Sequence, residues 1–361
     1  MPELLIDLDA IGTNTDVVAG LLRARSLKLV AVTKGCLGEP RVAAAMLAGG
    51  AVAIADTRDV NLCRLRAALP GVELHRIYLP SVAQPSELGD VTYVSSEEGA
   101  EAVARRAGAG GAAGSAGAAG SAGATGSAGA TGSAGATGPR RVMLQVETGD
   151  QREGVPLEQV AELATKIASD PRLSLVGVAT NYACFKGGPE GVRASVEAIA
   201  QAARTLREGG LPVERVSGGN SSLLWLVARG EELPEQLTEL RCGEALLLGH
   251  DALHYERLPG GREDACVLRA EVVEEYTRPA ADGPVRRLLL GVGRQDLSTG
   301  AVKFVEPGLQ EIGRSSEYLV VEAAAASPRA MVGAMVEMIP SYESLVAAWT
   351  SPYVNVRFRG L

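Results

Sequence analysis

"KLVAVTKGCLG", residues 28–38, is the stretch on which the fold turns. A mostly apolar strand pattern runs straight into Lys34, and Gly35 and Gly38 follow. A lysine at a strand terminus is ordinarily a solvated side chain. At the mouth of a parallel barrel, however, the C-terminal ends of strands are where catalytic residues sit. The remainder of the chain chooses between the two.

Outward from this stretch, apolar runs alternate with Ala- and Leu-rich helical patterns. The runs are "LKLVAVTK" (27–34), "AVAIA" (51–55), "LHRIYLP" (74–80), "DVTYVSS" (90–96), "RVMLQVE" (141–147), "LVGVATN" (175–181), "VERVSGG" (213–219) and "QLTELRCG" (236–243). Eight strand-plus-helix units are the count of a (β/α)₈ barrel. Beyond residue 250 the pattern changes to short β-branched runs, "CVLRAEVVEEY", "RRLLLGVG", "EYLVVEA" and "AMVEMIP", without intervening helices. The fold class is therefore α/β, with a TIM-like barrel over residues 1–249 and a C-terminal β domain over 250–361. "LLID" (4–7) is too short to stand alone and is expected to add an edge strand to the β domain.

Residues 108–138 are built from repeats such as "GSAGATGSAGATG". Gly, Ala, Ser and Thr offer no large apolar group to offset ordering entropy, so the segment reads as a flexible, disordered insert. It follows a helical pattern and precedes a strand, which puts it on the barrel face away from the mouth.

Composition narrows the function. The 361 residues are 46% hydrophobic and 4% aromatic, with a formal net charge of −8, and no basic stripe is visible. Nucleic-acid binding is disfavoured, because phosphate contacts need clustered Lys and Arg. No window reaches the length of a membrane span, and "MPELLIDLDAIG" is not a signal sequence, so the expectation is a cytoplasmic protein. Cys36, Cys63, Cys184, Cys242 and Cys266 are odd in number and lack paired ligand spacing. Reduced thiols are expected in place of disulfides or zinc. With only His75, His250 and His254, no metal site is expected.

The strand ends carry the chemistry. The first gives Lys34, the fifth "QVETGDQREG", the sixth "TNYACF", the seventh "SGGNSS" and the eighth "ELRCGEALLLG". Glycines followed by hydroxyls at a helix start present N–H groups and Ser221 or Ser222 to a phosphate. "RCGEA" adds a second glycine turn on the adjacent strand, and strands seven and eight are where barrel phosphate sites lie. A strand-end lysine facing such a site suggests a pyridoxal phosphate Schiff base.

Taken in order, "DLDAIGTN", "VTKGCLG", "ETGDQREG", "VSGGNSS", "LRCGEALLLGHD", "GVGRQDL", "EIGRSSEYLVVE" and "SYESL" resemble the fold-type III pyridoxal-phosphate enzymes of the alanine racemase superfamily, most closely the alanine/ornithine racemase branch. The resemblance implies a homodimer with shared active sites that racemises an amino acid by 1,1-proton transfer, with ornithine, lysine and alanine as candidate substrates. It implies that Lys34 bonds the cofactor and is one of two proton-transfer bases. Arg152 matches an arginine beside the phenolic oxygen, and Asn181 stands where alanine racemases place a histidine against the ring. Asn220, Ser221 and the Gly243 amide match the phosphate loop, and Tyr342 a tyrosine that closes over the phosphate. Arg241 matches the arginine at the pyridine nitrogen. A guanidinium with a pKa above about 12 keeps its proton, which leaves the ring a weaker electron sink and favours reprotonation at the α-carbon. An ion pair of Arg241 with Glu244, or of Arg152 with Asp150 or Glu153, is the structural alternative.

The chain also departs from the family pattern. Where alanine racemases often carry a modified lysine that positions the arginine, this chain has Gln145, which is expected to hold Arg152 by an amide hydrogen bond. The loop that supplies the second base, a tyrosine from the partner subunit, is shortened between "EEYTRP" and "RRLLLG". Tyr276 is nearest to it. Tyr318, in "GRSSEYL" beside Glu317, is the other candidate and ranks first. Glu317 or Asp296 is a candidate for recognising a distal substrate amine, as is Arg152 for other substrate contacts, whereas alanine or serine needs no such acid. The alternative function is a pyridoxal-phosphate-binding relative that is not a racemase, either another fold-type III lyase or a degenerate cofactor-binding protein. The β domain argues against the single-domain homeostasis proteins of the superfamily. The cysteine-containing motif of its decarboxylases is not found, and only Cys266 is available for the metal cluster of its aldolases and dehydratases.

Overall fold

Strands covered on both faces need continuous apolar runs, and the first two thirds of the chain supply them. The computed structural model describes residues 1–83, 89–107, 138–183, 188–279, 283–324, 327 and 330–360. After β1 (Glu3–Asp7), eight parallel strands close into a barrel in chain order: β2 (Lys28–Val32), β3 (Ala53–Asp56), β4 (Leu74–Arg76), β5 (Val91–Val94), β6 (Arg140–Gln145), β7 (Leu173–Ala179), β8 (Arg215–Ser217) and β9 (Glu239–Cys242). Each quoted run holds one of them. Closure pairs β9 with β2, Val30 opposite Arg241 and Ala31 opposite Cys242. Helices cover the outside. In Leu8–Arg23 the buried Ile11, Thr15, Val18 and Leu22 share one face, and Asp7 caps the helix by accepting the Ala10 N–H at 2.9 Å. Among the described residues no helix is long and apolar enough to cross a membrane.

The barrel interior has two apolar walls, one of Val30, Val32, Ala53 and Ala55 and one of Val91, Tyr93, Met143, Val176 and Ala179. Its N-terminal floor is ionic. Glu73 lies 2.7 Å from His75 Nε2, 2.7 Å from Arg141 and 2.8 Å from Arg215, and Arg215 reaches Glu239 at 2.7 Å.

The second sheet contains β10 (Cys266–Arg278), β11 (Val285–Leu290), β12 (Val302–Phe304), β13 (Leu309–Arg314), β14 (Leu319–Ala323), β15 (Met335–Pro340) and β16 (Asn355–Arg359), along the path β12-β15-β10-β11-β14-β13. The N-terminal "LLID" does join it, but not as an edge. β1 is antiparallel to β10 on one side and parallel to β16 on the other. The polar "NVRFR" carried no strand signal, so its pairing beside β1 was not foreseen. The domain is also not free of helices. Ser341 caps Tyr342–Thr350, whose buried Leu345, Ala348 and Trp349 recur at helical spacing.

The Gly/Ala/Ser insert at 108–138 falls, but for Gly138, outside the described residues. Its flanks are the helix Glu97–Ala107 and the N-terminal end of β6.

Candidate active site

Barrel closure sets Lys34, Asn181, Asn220 and Gly243 at the C-terminal ends of β2, β7, β8 and β9. Lys34 is exposed and follows a turn fixed by one buried carboxylate. Thr33 donates to Asp56 Oδ2 at 2.7 Å, while Oδ1 accepts from the N–H groups of Thr57 (2.7 Å) and Arg58 (3.0 Å) and from Asn61 Nδ2 (2.9 Å). With four hydrogen bonds on its two oxygens, Asp56 fixes the turn from which Lys34 leaves β2. Beside it, a Cβ on Gly243 would lie 2.8 Å from the Val32 carbonyl oxygen, so the β9 turn closes directly on the strand of Lys34. From the β domain, Tyr342 completes the wall: a Cβ on Gly35 would meet its ring and hydroxyl at 3.0 Å. Burial, with the charge of Glu343, pushes the Glu244 carboxyl up to about 7 against the opposing pull of Lys34.

Arg241 is buried inside the barrel. Its Nη1 donates to Ser217 Oγ at 2.6 Å and its Nη2 to the Thr180 carbonyl at 2.7 Å, and its guanidinium carbon lies 5.0 Å from the Tyr93 ring centroid. These partners take the place of the alternative ion pair with Glu244. The fifth, sixth and seventh strand ends are tied to one another. Buried Asp150 accepts from Asn181 Nδ2 at 3.4 Å, Asn181 Oδ1 accepts from Asn220 Nδ2 at 2.9 Å, and Asn220 Oδ1 caps the next turn through the Ser222 N–H at 2.8 Å. Ser221 Oγ accepts the Ala245 N–H at 3.4 Å, joining the loops after β8 and β9.

Arg152 stands on the loop after β6, which Gly154 closes at φ +130°, where a Cβ would lie 2.4 Å from Glu147 N. Here the expectation for Gln145 fails. Arg152 is exposed and pairs with its neighbour Glu153, while the buried Gln145 Nε2 has no hydrogen-bond partner. An adjacent carboxylate at the loop tip wins the guanidinium because the pair forms without leaving solvent. Glu317 and Tyr318 are exposed in the β13–β14 turn, and Tyr276 is half-buried on β10 with the Arg278 guanidinium 4.4 Å from its ring centroid. Among the described residues, no hydrogen bond, ion pair or ring contact within the chain joins these three to the mouth. Asp296 is buried, accepting from Ser351 Oγ at 2.7 Å and the Gly293 N–H at 3.2 Å, which is a structural role. Cys184 lies outside the described residues.

The residues that hold the site in place were missed: Asp56 under Lys34, and Tyr93, Ser217 and Thr180 around Arg241. Asp56 did leave a signal, an acid ending the apolar run "AVAIA".

Pyridoxal phosphate fits this set. The turns at Ser221 and Gly243 are joined through the Ala245 N–H and bring a hydroxyl and a backbone N–H to adjacent strand ends, Arg241 offers a fixed cation inside the mouth, Tyr342 covers the Lys34 side, and Gln145 holds an unspent donor. Among the described residues no three His, Cys, Asp or Glu side chains group so as to hold a metal ion.

Residues 6–251 match the family described as alanine racemase, N-terminal domain. A lysine racemase of Thermotoga maritima is 26% identical over 98% of this chain and 97% of its own length. An ornithine racemase of Acetoanaerobium sticklandii is 28% identical over 59% of this chain and 66% of its own. The crystal structure of alanine racemase from Corynebacterium glutamicum shares the fold over 99% of both chains, with a TM-score of 0.70 at 17% identity. A family match that spans the whole barrel and every strand end just described settles the kinship: the chain belongs to the family of the alanine racemase N-terminal domain.

Proposed function

We propose that this protein is a pyridoxal-phosphate-dependent racemase that interconverts L- and D-amino acids, with the diamino acids lysine and ornithine as its substrate class. The observation that carries the reading is the convergence of Lys34, Arg241, Ser221, Gly243 and Tyr342 on one barrel mouth. The substrate class is supported by the names of the two relatives, the first of which is matched along almost its whole length.

When bound, the cofactor draws electrons from the substrate α-carbon and so acidifies its hydrogen. Lys34 anchors it and moves the proton at the α-carbon on one side. Ser221, Asn220 and the Gly243 N–H bind the phosphate, and Tyr342 covers it. Arg241, held by Ser217 and Thr180, donates to the pyridine nitrogen and keeps its own proton. Asn181 lies against the ring with its amide fixed by Asp150 and Asn220. Arg152 contacts substrate, and Glu317, beside Tyr318 in the β13–β14 turn, reaches it from the second protomer. The second proton must come from the opposite side, within hydrogen-bond reach. Tyr318, and after it Tyr276, supplies it from the β domain of a second protomer, so the active form is a homodimer with shared sites. Both tyrosines belong to the β domain, and among the described residues no hydrogen bond, ion pair or ring contact ties either to the mouth of its own chain. We place the enzyme in the cytoplasm, where Cys36, Cys63, Cys242 and Cys266 stay free thiols.

Incubating the cofactor-loaded protein with L-lysine, L-ornithine and L-alanine in D₂O tests this. Exchange of the α-proton with inversion to the D-form is expected, fastest for the diamino acids. Loss of a carboxylate, an aldehyde product or no exchange at all contradicts it.

A further inference from the structure

We propose that the side-chain amide of Gln145 is a ligand-binding donor at the barrel mouth, giving its hydrogen bond to an acceptor oxygen of the cofactor ring or of the substrate carboxylate. The proposal deepens the racemase reading and rests on it.

Gln145 is the last residue of β6 and only 4% exposed. Side chains alternate across a strand. Leu144 and Val146 belong to the outer core under the helices, while Met143 belongs to an interior wall, so Gln145, two residues on, faces inward. Its register partner on β7, Ala179, is in the same interior cluster. In the closed order of eight strands, β6 stands four places from β2, so Gln145 and Lys34 top opposite walls of one mouth.

At that position Nε2 has no partner. An unpaired buried donor destabilises a fold, and such groups are rare enough to require an explanation. The loop arginine cannot satisfy it, because a guanidinium only donates, and Arg152 is in any case paired with Glu153. The remaining orphans among the described residues are Trp225 Nε1, Glu239 Oε1, Arg269 Nε and Arg287 Nε. Of these only Glu239 stands at an inward-facing strand end, and it is at the N-terminal floor, where its other carboxylate oxygen pairs with Arg215 at 2.7 Å. A donor left open where a ligand is held, and nowhere else in the barrel's upper tier, is a group whose partner arrives with that ligand.

The test uses the full chain with Gln145→Met, which keeps the shape and removes the donor, and Gln145→Glu, which replaces it with an acceptor. Three quantities are read: the melting temperature of the apoprotein, the Kd for pyridoxal phosphate by absorption titration, and the Kd of propionate for the holoenzyme. For Gln145→Met the apoprotein is expected to melt a few degrees higher, because an orphan donor is gone. At the same time one of the two affinities falls about tenfold, the effect of a single hydrogen bond to a charged acceptor. Gln145→Glu weakens the same affinity further. A change in the cofactor Kd assigns the acceptor to the cofactor; a change confined to propionate assigns it to the substrate carboxylate. If both affinities are unchanged, or the apoprotein of Gln145→Met melts lower, Gln145 is a packing residue and the proposal fails. If the parent protein binds no pyridoxal phosphate, the racemase reading fails instead.

Discussion

Asn220 donates through Nδ2 to Asn181 Oδ1 at 2.9 Å, so the loop that ends β8 fixes the amide that ends β7. The same side chain donates to the Tyr182 carbonyl at 2.8 Å and caps Ser222. One asparagine thus sets both the turn at Ser221 and the plane of Asn181.

Asn220→Ala removes all three bonds. A lost cap alone costs about 1 kcal/mol, so the melting temperature should fall by a few degrees. The Kd for pyridoxal phosphate should rise about tenfold or more in an absorption titration, since each tenfold is about 1.4 kcal/mol. Asn181→Ala keeps the Ser222 cap and should lower the melting temperature less.

Gly35→Ala puts a methyl within 3.0 Å of the Tyr342 ring. The obstacle is the far end of a flexible side chain, so the fold tolerates it by moving Tyr342 aside. Cofactor affinity should fall as it does in Tyr342→Phe. The double variant should bind no worse than the poorer single one, because both remove one interaction. Additive losses would show that Gly35 and Tyr342 act separately.

Glu244 gives the apoprotein a pH dependence of definite sign. Its carboxyl is raised to about 7 in the fold, by burial first and then by Glu343. In the unfolded chain a glutamate titrates near about 4.3. Between these values the folded chain binds the extra proton, so stability falls as pH rises through the window and levels off above it. Glu244→Gln stays neutral throughout. Its melting temperature should match the parent near about pH 4 and exceed it by a few degrees near about pH 8.

The barrel floor behaves the opposite way. The hydrogen bond with His75, with help from Arg215 and Arg141, holds the Glu73 carboxyl well below the usual carboxylate range. Its contribution is complete above the unfolded value of about 4.3 and is lost as pH falls below it. Glu73→Gln should therefore melt below the parent at neutral pH, and the gap should narrow as the pH is lowered past about 4.

What the sequence revealed follows from burial. The barrel strands are covered on both faces and read as apolar runs, so all eight were legible, and Lys34, Arg241 and Ser221 were legible as strand ends. β13, "LQEIGR", and β16, "NVRFR", are half-exposed and carry no such run. The partners that hold the site were hidden for a different reason. Arg215 meets Glu73 across 142 residues and Arg241 meets Thr180 across 61, contacts that exist only once the barrel has closed. Gln145 shows the limit of resemblance: it stands where the family places the residue that positions the arginine, which suggested a bond, and the neighbouring Glu153 took the guanidinium instead.

The central claim is that Lys34 is the residue that bonds the cofactor. The chain has five lysines, at 28, 34, 166, 186 and 303, which makes the assignment a discrete one. The protein is loaded with pyridoxal phosphate, reduced with borohydride, digested and mapped by mass spectrometry. The pyridoxyl mass is expected on the peptide that carries Lys34, with Lys34→Ala losing both that adduct and all turnover. An adduct on another lysine in the parent, or a Lys34→Ala variant that still racemises, contradicts the account.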